Sequence, residues 1–275
     1  MSIKVPPEYP RYIKKGQFKS YDPIKVSKWT EEIVCKYVDG EQWRKYTSFY
    51  GAGVYRGIST AAVVGCNLRC FFCWSPLSRD FPERYGTYYS PKEVCENLAK
   101  VARKYGFRKA RLSCGEPTIG RDHLLKVLEY VERCDYIKLF ILETNGILMG
   151  LDRDYVRDVL KFSKVYVRIS LKAGTPEAFT WKTGAIPQAF ELPFKTIEYF
   201  VEEGAWGRFH VAVMSDPRIM SKEERVALLE KLYSIDPKLL RLIEEEVVDP
   251  YDTTLFRLKE AGVELDWSLW RSWFS

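Results

Sequence analysis

Cys66, Cys70 and Cys73 lie in the run Gly65-Cys66-Asn67-Leu68-Arg69-Cys70-Phe71-Phe72-Cys73-Trp74, a C-x3-C-x2-C spacing that can hold three corners of one iron–sulfur cube. A complete thiolate set for four irons needs four ligands, and no fourth cysteine is close by, so the fourth iron is left free to bind something else. Zinc also uses clustered cysteines, but structural zinc takes four ligands, and the only histidines, His123 and His210, are far along the chain. The remaining cysteines, Cys35, Cys95, Cys114 and Cys134, are scattered singly and read as buried free thiols. A total of seven, three of them committed to one site, argues against a disulfide framework and for a reducing compartment.

A second run with chemical content is Ser113-Cys114-Gly115-Glu116-Pro117, a turn whose backbone carbonyls and carboxylate can receive an ammonium group. Further on, Glu143-Thr144-Asn145-Gly146 and Ser170-Leu171-Lys172 place polar groups directly after apolar stretches, where ordinary turn chemistry is the alternative reading. With the cysteine run, these motifs resemble the radical S-adenosylmethionine (SAM) superfamily over about residues 58–262, most specifically at 66–74. The resemblance implies a [4Fe-4S] cluster on Cys66, Cys70 and Cys73, with SAM as the second cofactor. The open iron would chelate the amino and carboxylate groups of SAM, and one electron would cleave it to methionine and a 5′-deoxyadenosyl radical that abstracts a hydrogen from substrate.

The same resemblance implies roles residue by residue. Phe72 would lie against the adenine with Trp74 nearby, and Gly115, Glu116 and Pro117 would hold the SAM amino group. Thr144, Asn145 and Ser170 are candidates for the ribose hydroxyls, Lys172 for the carboxylate, and the backbone near Met214 for the adenine edge. His210 shares a strand face with Met214 by parity, and reads more simply as a core histidine. Cys114 stands where the family's Gly-Gly-Glu-Pro motif has its first glycine, which puts a side chain beside the methionine moiety. A low-potential electron donor of the ferredoxin or flavodoxin type is implied, at roughly −400 to −700 mV.

The phrasing is nearest to the wyosine-forming, molybdenum-cofactor-cyclase and activase-like members. No cysteine follows Cys134 and only Cys35 precedes the motif, so their auxiliary clusters cannot be built here in the same way. Two substrate classes stay open: a peptide, protein or small metabolite, and a nucleoside or tRNA. A non-enzymatic electron carrier is the remaining rival, but carriers ligate all four irons and need no Gly-Glu-Pro turn.

What must position these groups is a run of short apolar segments alternating with amphipathic ones, the pattern of repeated βα units. Strands are expected at residues 60–65, 109–113, 137–143, 165–171, 208–214 and 240–247, the last weakened by three consecutive glutamates. Ser90-Pro91-Lys92-Glu93 is a capping box opening a helix that runs to Gly106, Ser221-Lys222-Glu223-Glu224 repeats it, and a final helix spans residues 252–261. Six such units make an α/β fold, a partial (β/α)6 barrel, with functional groups at the C-terminal strand ends. The chain divides into an N-terminal basic and aromatic extension (1–57), the partial barrel (58–262) and an aromatic tail (263–275) that packs on it.

Asparagine and glutamine number three each among 275 residues, against abundant lysine, arginine and glutamate, so a hot, anaerobic, archaeal source is expected. No apolar run approaches the roughly 18 residues of a membrane span, and the opening residues lack a signal-peptide core, so a cytoplasmic protein without membrane association is expected. Residues 1–50 carry ten Lys or Arg against six Asp or Glu, an excess of +4 out of the chain's +6, together with ten aromatics. Such a segment can track phosphates and stack on bases, or it can pack as a cap on the barrel; packing is the preferred reading.

Overall fold

The computed structural model describes residues 5–17 and 19–268. Helix α1 (Pro23–Val34) starts where the Asp22 carboxylate accepts the Ile24 N–H at 2.8 Å, and leads directly into strand β1 (Cys35–Val38). A two-residue turn, Asp39-Gly40, returns the chain as β2 (Glu41–Ala52). Both turn residues have positive φ, the backbone twist that a tight antiparallel hairpin demands.

Six parallel strands follow in chain order: β3 (Ile58–Val63), β5 (Lys109–Ser113), β6 (Leu139–Thr144), β7 (Val165–Leu171), β8 (Phe209–Met214) and β9 (Ile243–Glu246). A short β4 (Thr87–Tyr89) lies off this path, paired with β2. Each parallel pair is consecutive in the barrel and the sheet does not close, so this is the partial α/β barrel expected. Residues 35–52 continue the sheet past β3: β2 runs antiparallel to it from Tyr46↔Val63 to Ala52↔Ile58, with a register shift between Tyr46 and Ser48.

The helices between strands cover the sheet with apolar faces. The capping box at Ser90 forms as its residues require, with the Ser90 hydroxyl accepting the Glu93 N–H and the Glu93 carboxylate accepting the Ser90 N–H. It opens α2 (Pro91–Tyr105), which ends on Gly106 at φ 71°. Then come α3 (Arg121–Arg133), α4 (Ile147–Leu151), α5 (Arg153–Leu160), α6 (Pro176–Thr183), α7 (Glu191–Glu202), α8 (Lys222–Ile235), opened by Ser221 as expected, and α9 (Asp252–Ala261). Val127, Phe140, Leu142, Ile169, Phe200 and Val211 are among the buried side chains of one continuous core between sheet and helices. Among the described residues no helix is long and apolar enough to cross a membrane.

The sixth strand is shorter than expected because residues 237–241 form a tight helical turn instead. Its three glutamates are accommodated by alternation: Glu244 and Glu246 face Arg168, while Glu245 points the other way to Arg225 at 2.5 Å. Of the aromatic tail, Trp267 packs on the core with the Arg218 guanidinium 4.7 Å from its ring centroid. Trp270, Trp273 and Phe274 lie outside the described residues, as does Phe18 of the N-terminal extension.

Candidate functional site

Strand β3 delivers the cysteine run. Gly65 turns the chain at φ 84°, where an added Cβ would meet the Thr30 side chain at 2.5 Å, and Cys66 follows at the C-terminal strand end. The loop is fixed along its backbone: Arg69 N–H and Phe71 N–H donate to the carbonyls of Thr183 and Lys182 at 2.9 and 3.1 Å. Burial pushes the Cys66 thiol up to about 11 and Cys70 up to about 12. Burial pushes Cys73 up too, but the Arg79 and Arg257 guanidiniums outweigh it and leave this thiol below its ordinary value.

The turn after β5 is built against that loop. Gly115 allows the two to touch, since a Cβ there would meet the Gly65 carbonyl at 2.4 Å, and Glu116 N–H donates to the same carbonyl at 2.9 Å. Cys114 sits at φ 73°, a left-handed conformation costing a non-glycine residue about 1–2 kcal/mol, which explains why glycine is at home in this position. Its buried thiol lies 3.5 Å from the Tyr50 hydroxyl. The Glu116 carboxylate is saturated from within, accepting from Thr118 N–H and hydroxyl, Thr144 hydroxyl and Asn145 N–H at 2.6–3.1 Å. Arg44 on β2, fully buried, donates to the Glu116 and Pro117 carbonyls at 2.7 and 2.8 Å.

Behind β6, Asn145 donates to Asn67 Oδ1 at 2.7 Å and accepts from Ile147 N–H at 3.1 Å, so it braces the cysteine loop. Thr144, besides its bond to Glu116, accepts from Gly146 N–H at 3.1 Å. At the end of β7, Lys172 donates to the Ser170 hydroxyl and lies 3.9 Å from Glu246. The strand interiors carry a further set of charges: Arg111 to Glu143 at 2.6 Å, Ser113 and Tyr55 to the same carboxylate at 2.5 and 3.0 Å, and Arg168 to Glu244 and Glu246 at 2.8 and 2.7 Å. His210 joins this set through Glu244 at 2.6 Å, while Met214 stays apolar and buried.

The C-terminal ends of these strands open into one cavity of about 1030 Å³. It gathers Cys66, Cys70 and Cys73 with Phe72, Trp74, Gly115, Glu116, Thr144, Asn145, Ser170, Lys172 and Met214. Pro117 is not on its wall; its carbonyl is taken by Arg44. Tyr50, Tyr55, Arg111, Glu143, Arg168, Glu244, Glu246 and Tyr251 also line it and were missed by sequence reasoning. For the charged ones a signal existed: Arg111, Glu143 and Arg168 each interrupt an apolar strand, and a buried charge inside a strand asks for a partner. Tyr50, from the far side of the β2 hairpin, and Tyr251, almost 180 residues after the cysteines, gave none.

The donor set fits a [4Fe-4S] cluster. Three free thiols on one loop reach a shared cavity, with guanidiniums beside them to favour thiolates and an anionic group. The polar strand ends around them fit a ligand with charged and hydroxyl groups such as SAM.

Comparison with known proteins agrees with this arrangement. A "Probable GTP 3',8-cyclase" of Thermococcus kodakarensis is 32% identical over 120 residues, covering 43% of this chain and 36% of that protein. One of Methanococcus aeolicus is 28% identical over 209 residues, covering 70% of this chain and 66% of its own length. The chain thus spans less than two thirds of either relative. Among solved structures, Streptococcus suis SuiB bound to S-adenosylmethionine superposes with a TM-score of 0.54 at 18% identity, over 76% of this chain and 43% of that one. HydG, a maturase of the [FeFe]-hydrogenase, gives 0.53 at 13% identity, over 86% and 52%. Both share the fold. The family model described as the Radical SAM superfamily matches residues 62–232, well over half the sequence and inclusive of Cys66, Cys70 and Cys73, and this chain belongs to that superfamily.

Proposed function

We propose that this protein cleaves SAM reductively and uses the product radical to abstract a hydrogen from a polar small metabolite, or from a peptide or protein side chain reaching into the cavity. The observation that carries the reading is that the three thiols and the ion-paired groups Arg111–Glu143 and Arg168–Glu246 line the same space. When bound, the cluster supplies the single electron that breaks SAM into methionine and a 5′-deoxyadenosyl radical. Around it the chain's own residues bind and orient. Lys172 offers an ammonium to the SAM carboxylate, carbonyls of residues 113–115 offer acceptors to its amino group, and buried Phe72 offers an apolar face to adenine.

A cavity of this volume is at the upper end of the roughly 300–1,000 Å³ usual for small-molecule sites, which leaves room for a second ligand beside SAM. The inner charges pair with one another, so a substrate that carries both donors and acceptors can replace those bonds without leaving a buried charge alone. A tRNA substrate is the alternative, and no feature of the cavity favours it. The electron comes from a donor of the ferredoxin or flavodoxin type, and the work is done in the reducing cytoplasm, where free thiols persist.

Anaerobic reconstitution with iron and sulfide, followed by SAM and dithionite, tests the reading by mass spectrometry of 5′-deoxyadenosine. Its formation is expected, with deuterium enrichment when the substrate pool is labelled. A protein that binds four irons and SAM yet makes none would overturn it. Mass spectrometry of metabolites, proteins and tRNA from a deletion strain then separates the substrate classes.

A further inference from the structure

The backbone carbonyls of the three motif cysteines each accept a hydrogen bond from a different buried arginine. Arg69 donates to Cys66 O at 2.6 Å, Arg79 to Cys70 O at 2.8 Å, and Arg257 to Cys73 O at 2.5 Å. All three side chains are at most 2% exposed. They reach the loop from different places: Arg69 from within it, Arg79 from the turn that follows, and Arg257 from α9.

Three buried guanidiniums face little counter-charge. Asp80, fully buried, pairs with Arg79 and Arg257, each at 2.5 Å. Among the described residues no carboxylate lies within ion-pair distance of Arg69, whose remaining partners are carbonyls of Pro10 and Leu68 and the Tyr9 ring. Its Nη2 has no hydrogen-bond partner there either. Glu116 is the other buried carboxylate on the cavity wall near the loop, and its oxygens are already filled by neutral donors. The charge beneath the cysteines is therefore net positive. Structure alone would not require this, since neutral donors serve carbonyls as well and bury at lower cost.

We infer that Arg69, Arg79 and Arg257 are positioning residues that set the reduction potential of the cluster, holding it high enough for a low-potential donor to fill. The inference rests on the cluster reading of Cys66, Cys70 and Cys73. Three thiolates leave an oxidised four-iron cluster negatively charged, and the entering electron adds one more negative charge. A nearby buried cation favours the reduced state over the oxidised one, and the low local dielectric makes the bias large. Asp80, paired with Arg79 and Arg257, tempers it.

The test is a potentiometric titration, read by the electron paramagnetic resonance signal of the reduced cluster, on the anaerobically reconstituted full chain without SAM. Arg69→Gln is expected to lower the reduced-to-oxidised ratio at fixed potential about tenfold, a shift of about 59 mV for one electron. Arg69→Lys, which keeps the charge, is expected to stay near wild type. Asp80→Asn, which keeps the shape and removes the counter-charge, is expected to shift the opposite way. A midpoint unmoved by either neutralising substitution, or moved in the same direction by both, overturns the inference. If Arg69→Gln fails to hold iron, Asp80→Asn decides alone: a rise supports the inference, and no change or a fall overturns it. A wild-type chain that takes up no four-iron cluster overturns the cluster reading itself and this inference with it.

Discussion

Glu116 Oε2 accepts the backbone N–H of Asn145 at 2.8 Å, so one buried carboxylate joins the turn after β5 to the turn after β6. The sequence motif around Glu116 reads as a ligand grip, yet in the fold this side chain also holds two strand ends in register with the cysteine loop. Lys172, by contrast, donates to Ser170, lies 3.9 Å from Glu246 and lines the cavity. The two residues should therefore separate on substitution. Lys172→Ala is expected to keep its iron and thermal stability and to lose SAM affinity at least tenfold. Glu116→Ala leaves four buried donors without an acceptor and should cost about 3 kcal/mol or more of stability as well as SAM binding. Calorimetric binding alongside chemical denaturation checks both, and a Glu116→Ala protein as stable as wild type would contradict the joining role.

Division of the seven cysteines gives a second expectation. Cys66→Ala, Cys70→Ala and Cys73→Ala should each lose the reconstituted cluster, because each removes one of the three thiols that a single loop brings to the cavity; Cys114 lines it from the turn after β5. Cys35→Ala, Cys95→Ala and Cys134→Ala should retain full iron and sulfide, since none of the three lines it. Iron and sulfide counts per chain decide it, and equal loss on removing Cys35 or Cys134 would show the division to be wrong.

Removal of residues 1–50 should damage folding. It strips β1 and most of β2 from the edge of β3, exposes Ala61 and Val63, and deletes Arg44, whose guanidinium holds the Glu116 and Pro117 carbonyls. Hydrogen bonds from a buried charged group contribute about 1.5–3 kcal/mol each, so Arg44→Met alone should lower stability by about 3 kcal/mol. Sedimentation, circular dichroism and SAM turnover of both proteins are the measurements. A truncated chain that stays soluble and cleaves SAM but has lost salt-sensitive tRNA binding would instead identify the segment as a nucleic-acid arm.

A pH effect follows from His123, fully buried on α3. Its Nδ1–H donates to the Gln42 carbonyl at 2.8 Å, which leaves Nε2 of the neutral ring to accept from the Tyr46 hydroxyl at 2.9 Å, so the neutral ring is fully satisfied. Burial is the main cause that lowers its pKa, to about 3. The unfolded chain takes up a proton near pH 6.5 and the folded one does not, so stability falls as pH drops from about 6.5 toward 3, by about 1.4 kcal/mol per unit. Between pH 6.5 and 5, where carboxylates contribute little, His123→Asn should flatten this slope. Urea unfolding at several pH values reads it directly, and an unchanged slope would remove His123 as the source.

Five of the six parallel strands were legible because each is a short, mainly apolar run flanked by helix signals, and local chemistry alone writes those signals: the Ser90 capping box and Gly106 operate on backbone groups within a few residues. The cysteine loop was legible for the same reason, since three cysteines within eight residues need no tertiary information to be neighbours. The Asp39-Gly40 hairpin was equally local, yet it stood in a segment read by its charge and aromatic content. Beyond that range the sequence is silent. That Arg257 would meet the carbonyl of Cys73, that Arg44 would brace the Glu116 turn, and that Tyr50 would face Cys114 depend on where α9 and β2 dock. Docking of this kind is decided by burial of whole faces, which no residue declares by itself. The three glutamates of β9 make the same point: as a string they speak against a strand, and only the arginines of β7 and α8, brought alongside by the sheet, make that strand stable.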